Sequence, residues 1–277
     1  PCGEIPLPPY GACNLGSLNL TAFVRSPFED DATLDLQALT AAAHTATRLL
    51  DNVIDASRFP LPAQRAQAQG SRRLGLGITG LADALIMLGL RYDSSEARAL
   101  AADAMRTICH AAYRSSVALA AEKGPFPFFD AKAYLGGRFV RRLPDDIRAG
   151  IALDGVRNSH LTAVAPAGSI SLLAGNLSSG VEPVYARRPQ RMVRSADGER
   201  RTLTMDDPAC LLWLRLQGEG TPPAFRDAHD IVPGAHLAMQ AALQPYVDGA
   251  ISKTINVPAT IGYPDFEEIY LRAHALG

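Results

Sequence analysis

The sequence predicts an α/β protein with a parallel component, because stretches of helical periodicity alternate with short apolar runs that end at glycine or proline. At 277 residues, 47% hydrophobic and 20% charged, the chain can bury a substantial core. The first twenty residues stand apart. They carry Cys2, Glu4 and Cys13 in a stretch whose Pro6, Pro8 and Pro9 lack N–H donors and fix φ, so they form a loop. A thiol followed two residues later by a carboxylate, on one side of an extended backbone, has the ingredients of redox or nucleophilic chemistry.

After that loop, residues 17–24 alternate enough for a short strand. Residues 35–57 predict a helix, with Leu36, Leu39, Ala43, Ala46, Leu50, Val53 and Ile54 at helical spacing and Pro60 and Pro62 as its stop. Gly75, Gly77 and Gly80 spell a literal G-x-G-x-x-G. Gly70-Ser71-Arg72-Arg73 precedes it where a dinucleotide site needs a hydrophobic strand, so the glycines are read as close packing in a turn leading into a helix over 81–88.

Asp93 with Glu96 predicts the cap of a long helix bearing Ala97, Leu100, Ala104, Ile108, Ala112 and Leu119, which ends at Lys123-Gly124-Pro125. Cys109 borders that stripe as a small buried hydrophobe. Phe126, Phe128, Phe129 and Tyr134 mark a loop packed on the body, and a short helix over 145–151 follows. Residues 161–165 read as a buried strand, 166–169 as a tight turn and 169–173 as a helix start, a combination that turns several backbone N–H groups one way, as an anion site requires. An Arg-rich hairpin with Arg187, Arg188, Arg191, Arg194, Arg200 and Arg201 comes next, either a solvated hairpin or an anion or partner contact. A helix near 208–216 then places Cys210 and Trp213 in the core, residues 236–244 are helical, 246–258 form a strand cut off by Pro258, and a last helix covers 264–276.

A net charge of −1 excludes the broad basic footprint of a dedicated nucleic-acid binder. No apolar run approaches a membrane span and no signal peptide opens the chain, so a cytoplasmic setting is expected. The four cysteines make no zinc spacing, the histidines are scattered, and no metal site is expected. The chain lacks an initiator Met and is expected to be a fragment.

The opening stretch resembles the active-site segment of the ribonucleotide reductase large subunit, Asn-Pro-Cys-x-Glu followed by a second cysteine. Pro1, Cys2 and Glu4 match it and Cys13 falls at the second cysteine. The Arg73-Leu74-Gly75-Leu76-Gly77 stretch resembles barrel scaffold of the same family. Pro166, Gly168, Ile170 and Ser171 match its substrate-phosphate loop Pro-Thr-Gly-Thr-Ile-Ser; Ser169 keeps a hydroxyl and Ala167 loses one. The blocks Ser178-Ser179-Gly180-Val181-Glu182-Pro183-Val184-Tyr185 and Ser252-Lys253-Thr254-Ile255-Asn256 continue the likeness.

The resemblance implies a partial ten-stranded α/β barrel truncated at both ends. Residues 1–277 would be a fragment of a single catalytic domain, with an active-site loop over 1–20 and a phosphate loop over 165–171. It implies reduction of ribonucleotides, in this branch ribonucleoside diphosphates, to 2′-deoxyribonucleotides by thiyl-radical chemistry. Cys2 would carry the radical, Glu4 would be the general base, and Cys13 would be one of the reducing pair. Pro166, Ala167, Gly168, Ser169 and Ile170 would hold the substrate phosphates. Lys253-Thr254 is followed by Ile255-Asn256-Val257 with no tyrosine pair, which resembles the adenosylcobalamin-dependent branch rather than the oxygen-dependent one with its separate metal subunit. Implied partners are a thioredoxin-like or other dithiol reductant, nucleotide effectors bound outside these residues, and a second copy in a full-length homodimer. An inactive or structural remnant of the same barrel, or a different enzyme using Cys2 as nucleophile, are the competing readings. The isolated fragment is expected to be inactive and marginally folded, since an opened barrel exposes strand edges.

Overall fold

A computed structural model describes residues 2–194 and 198–277. Pro1, the proline of the opening motif, lies outside them. Cys13 leads straight into β1 (Asn14–Asn19), which ends where the Asn19 side chain accepts from Thr21 N at 3.1 Å and starts a 3-10 turn over Leu20–Phe23. The expected strand over 17–24 therefore lies earlier in the chain, because the Asn19 cap stops it. β2 (Val24–Arg25) and β3 (Thr33–Leu34) form a small antiparallel pair.

The helix expected over 35–57 is α1 (Leu36–Ala56), opened by Asp35, whose carboxylate accepts from Ala38 N at 2.8 Å. It buries Leu39, Ala43, Leu50 and Ile54, whereas Val53 is exposed. The prolines that stop α1 also start a helix the periodicity does not reveal. Pro62 occupies the first turn of α2 (Pro62–Ser71), where its missing N–H costs nothing.

The glycine motif is a strand and not the turn expected of it. β4 (Leu74–Thr79) is buried along its whole length and pairs in parallel with β1, from Asn14 opposite Leu74 to Asn19 opposite Thr79. Burial on both faces makes it read as a continuous apolar run. A Cβ on Gly75 would come within 2.5 Å of Leu15 Cδ2, and one on Gly77 within 2.3 Å of the Ala163 carbonyl oxygen. Gly77→Ala is therefore expected to destabilise the protein by about 1–3 kcal/mol, as overpacking against backbone does. The shift in the urea midpoint measures it. Gly80, with φ +70°, makes the corner into α3 (Leu81–Met87), the helix expected over 81–88.

The long helix is α4 (Ser95–Lys123). Its cap is Ser94, which accepts from Ala97 N at 3.1 Å, while Asp93 pairs with Arg91 instead. Cys109 is fully buried on it, as expected. α4 packs along α1, and both lie against β4. In the aromatic loop Phe126 sets edge to face against Phe129 and Tyr134 at 5.4 and 5.8 Å, and Phe129 lies tilted to Tyr134 at 5.6 Å, whereas Phe128 is exposed. Tyr134 lies in α5 (Ala131–Leu135) and is followed by α6 (Asp145–Asp154).

Residues 161–164 continue the parallel array beyond β4. Leu76 N donates to Leu161 O at 2.8 Å and Ala163 N to Leu76 O at 3.2 Å. Residues 249–252 lie on the far side, with Val164 N donating to Ala250 O at 3.1 Å and Ser252 N to Val164 O at 2.9 Å. Only Ile251 of the strand expected over 246–258 makes a bridge, to Val164. The Asp248 carboxylate fixes this edge by accepting from Leu161 N and Thr162 N at 2.8 Å each and from the Tyr113 hydroxyl of α4 at 2.7 Å. The described residues thus show an open parallel array of four segments under helices and no closed barrel.

After the array come α7 (Gly168–Leu173) and an antiparallel hairpin of β5 (Gln190–Arg194) and β6 (Arg200–Thr204), which carries the arginine cluster. α8 (Pro208–Gln217), α9 (Pro233–Leu243) and α10 (Tyr263–Leu276) complete the chain. Cys210 is buried as expected. Trp213 is only half-buried, set edge-on to Phe28 at 5.1 Å and donating Nε1–H to Glu219 O at 2.9 Å. Among the described residues no helix is long and apolar enough to cross a membrane.

Candidate active site

At one end of the array a cavity of about 670 Å³ opens between the Cys2 loop, the start of α7, the 176–185 loop and residues 252–256. That volume falls within the range of about 300–1,000 Å³ usual for small-molecule sites. Cys2, Pro166 and Gly168 all line it, so two stretches far apart in sequence meet at one opening. Cys2 is exposed there.

Gly3, with φ +82°, bends the chain between the thiol and the carboxylate, so the extended backbone expected for this pair is not what the structure has. Glu4 is buried at 8% exposure, with Oε2 lacking a hydrogen-bond partner and its carbonyl oxygen accepting from Ala250 N at 2.8 Å. A buried carboxylate oxygen left without a donor is costly and is ready to take one from a ligand.

Cys13 lies elsewhere. It is half-buried beside Ile5, Arg73, His160 and Thr162, around a small crevice of about 10 Å³. Burial pushes its thiol up to about 12 from an ordinary 9.0; Arg73 opposes the rise and Asp248 and Glu4 add to it. The group therefore stays S–H at neutral pH, with about a thousandfold less thiolate than an open cysteine. Alkylation of Cys13 in the folded protein is expected to run slower than in the urea-unfolded chain by a factor of that order, read by mass spectrometry after timed quenching.

Residues 161–173 run in the expected order, with bridges at Thr162 and Val164 in place of a full strand, then a turn, then α7. Ala167 sits in the left-handed region at φ +55° and starts α7, which leaves the amides of Gly168, Ser169 and Ile170 outside the helix's own ladder. Ser169 and Ile170 are exposed. Ser171 is buried, its hydroxyl donating to Gly168 O at 3.0 Å and lying 3.1 Å from Ser179 Oγ, which ties α7 to the following loop.

Several wall residues were not singled out by the sequence reading as site residues: Asn176, Ser178, Ser179, Glu182, Arg191 and His236. Arg191 is the member of the arginine cluster that reaches the wall. Glu182 is the centre of a network that joins two loops. Its Oε2 takes the Lys253 ammonium and its Oε1 accepts from Thr254 N at 2.6 Å, while Lys253 Nζ also donates to His236 Nδ1 and Thr254 O at 2.7 Å each. Burial, with the Lys253 charge adding, pushes His236 down to about 4, so its imidazole is neutral and accepts at Nδ1. Burial also lowers Lys253, against the pull of Glu182. The only signal for this network in the sequence was the pair of motif blocks at 178–185 and 252–256, neither of which says that it meets the other.

A match to the family described as ribonucleotide reductase, barrel domain, runs over residues 1–277. A vitamin B12-dependent ribonucleoside-diphosphate reductase of Mycobacterium tuberculosis is 38% identical over 99% of this chain and 39% of its own length. The protein of the same name from Thermoplasma acidophilum is 35% identical over 100% of this chain and 36% of its own. A ribonucleoside-diphosphate reductase large subunit of Danio rerio is 33% identical over 67% of this chain and 24% of its own. The chain thus spans under two-fifths of the length of these curated relatives.

Proposed function

The chain belongs to the ribonucleotide reductase barrel-domain family, and from that premise we propose that it forms part of the catalytic domain of an adenosylcobalamin-dependent ribonucleoside-diphosphate reductase. The observation that carries this reading is the cavity that brings Cys2 together with Pro166 and Gly168, a redox-capable thiol and a loop whose 168–170 amides lie outside the helix ladder. In this reading residues 1–277 are a fragment of a single catalytic domain, and the open parallel array is part of a ten-stranded barrel completed by other segments of the full-length protein. The names of the B12-dependent relatives support the branch.

The amides at the start of α7 hold the substrate phosphates. The residues from Pro166 through Ile170 form that loop, and the loss of a hydroxyl at Ala167 leaves the backbone to do the work. A Cys2 thiyl radical takes the hydrogen atom from C3′ of the ribose, and Glu4 accepts the 3′-hydroxyl proton as the 2′-hydroxyl leaves as water. Cys13 and a second cysteine thiol supply two electrons and become a disulfide, and Cys2 returns its hydrogen atom to C3′. The net change is ribonucleotide plus dithiol to deoxyribonucleotide plus disulfide plus water. A Cys13 kept as S–H suits a group that gives up hydrogen. Cys109 and Cys210 are buried in the packing and take no part.

The described residues fit the cofactor at one point, an exposed Cys2 thiol at the mouth of a wide cavity, which a large group can approach. Adenosylcobalamin supplies homolysis of a carbon–cobalt bond, a one-electron step that no side chain here performs. The surrounding protein must then keep water from the radical. External dithiol, such as a thioredoxin-like protein, regenerates the thiols, and effector nucleotides bind outside these residues.

The test is a product assay on the full-length protein with ribonucleoside diphosphate, dithiol and adenosylcobalamin. Deoxyribonucleotide is expected only when the cofactor is present. Equal turnover without it would move the protein to the branch with a separate metal subunit.

A further inference from the structure

Beneath the cavity, Ser178 is fastened by the corner between β4 and α3. Its carbonyl accepts from Gly80 N at 2.8 Å and from the Thr79 hydroxyl at 2.9 Å, and its Oγ accepts from Ala82 N at 3.1 Å. Its own N–H donates to Asp83 Oδ2 at 2.7 Å. Asp83 is fully buried on α3, and its second oxygen, Oδ1, has no donor. Asp207, 2% exposed and part of the cavity wall, caps α8 by accepting from Cys210 N at 2.8 Å and lies within hydrogen-bonding reach of Asp83.

Two buried carboxyls within reach of each other, with no cation between them among the described residues, resist ionising together. A single proton held between them also gives Asp83 Oδ1 the donor it lacks. We propose that Asp83 and Asp207 act as one acid–carboxylate pair whose shared proton positions the Asn176–Ser179 floor of the cavity for its nucleotide ligand. The pair stands on the geometry; the nucleotide rests on the reading of the site given above.

Burial raises both carboxyls. It carries Asp207 to about 7, with the charge of Asp83 adding to the rise. The groups facing the pair do not displace the proton. Cys210 on α8 is itself pushed up by burial and stays a thiol. Arg187 spends its guanidinium on the Thr221 hydroxyl at 2.7 Å and Gly220 O at 3.3 Å, and Arg188 pairs with Asp206 at 3.4 Å. Because the folded state holds a proton that the unfolded chain releases above its ordinary 3.8, the pair's contribution to stability is complete below that value. It is lost as the pH rises through the raised folded values, about 7 for Asp207 and raised for Asp83 as well. Above that point the two charges repel, and Ser178 loses a firm anchor.

The experiment uses the full-length protein, wild type against Asp207→Asn. An asparagine amide still caps α8 and donates permanently to Asp83. The infrared difference spectrum, wild type minus variant, is expected to show a protonated carboxyl band at about pH 6 that weakens as the pH is raised to about 9. Affinity for ADP should fall about tenfold for wild type over the same span, and the variant should flatten that dependence. Absence of the carboxyl band overturns the proposal, as does an identical pH dependence of ADP affinity in the two proteins. Should Asp207→Asn fail to fold, Asp83→Asn removes the same band. A protein that binds no ADP yet shows the band keeps the pair and refutes the nucleotide reading, so the two failures are separable.

Discussion

Replacing Cys2 with alanine in the full-length protein is expected to lower deoxyribonucleotide formation by at least about 10⁴-fold, with little effect on nucleotide affinity. In the proposed reading the Cys2 thiol passes a hydrogen atom to and from the ribose, and among the described residues it is the thiol that lines the cavity. Glu4 has no comparable chemistry, and Cys13 lies in its own crevice, held as S–H by burial. Cys2 is exposed, so its removal leaves no core void. A single-turnover assay with matched nucleotide-binding titrations separates the two quantities. A variant that keeps a tenth of its turnover would move the radical to another residue.

Arg72→Ala is expected to cost about 3–5 kcal/mol of stability, because it strands a buried charge. Arg72 is 3% exposed and sits at φ +47° on the turn between α2 and β4. Its guanidinium donates to Asp51 Oδ1 at 2.9 Å and to Asp55 Oδ1 at 2.7 Å, and Asp51 is fully buried on α1. Asn158 completes the junction by donating to Asp51 Oδ1 at 2.9 Å and to Arg72 O at 3.1 Å. The network therefore clamps α1, the start of β4 and the entry to the 161–164 segment, all of which lead toward the site. Urea unfolding of the full-length protein measures the loss.

The hydrogen bond from Arg72 holds the Asp55 carboxyl below its ordinary 3.8. Its contribution is present above that value and lost as the pH falls through the lower folded one. In Arg72→Ala this part of the acid dependence should vanish. Arg48 and Glu122, an exposed pair, serve as the contrast, and breaking it should change stability far less.

Helices with clear apolar stripes were legible in the sequence. The spacing over 35–57 gave α1 nearly to the residue and Gly124 marked the end of α4, whereas the cap of α4 is Ser94 and not Asp93. β4 was not legible, because a strand buried on both faces has no alternation, and its glycines resemble turn chemistry until Leu15 and Ala163 are seen packed onto them. α2 was hidden by prolines that also read as breakers. At the site, Cys2 and the 166–170 loop could be singled out from residue types, but the cavity that Cys2 shares with Pro166 and Gly168 could not, since about 160 residues of chain separate them. The bend between Cys2 and Glu4 depends on one backbone angle at Gly3, and the Glu182–Lys253–His236 network depends on a meeting of three segments. Neither is a local property of sequence.

We propose that the cavity shared by Cys2 and the start of α7 is a ribonucleotide site. Hydrogen–deuterium exchange on the full-length protein, with and without a ribonucleoside diphosphate, tests it most directly. Protection is expected at the amides of residues 168–171 and 176–182, and little change at the exposed α10. Saturating nucleotide that leaves those amides unprotected while slowing exchange elsewhere would contradict the assignment.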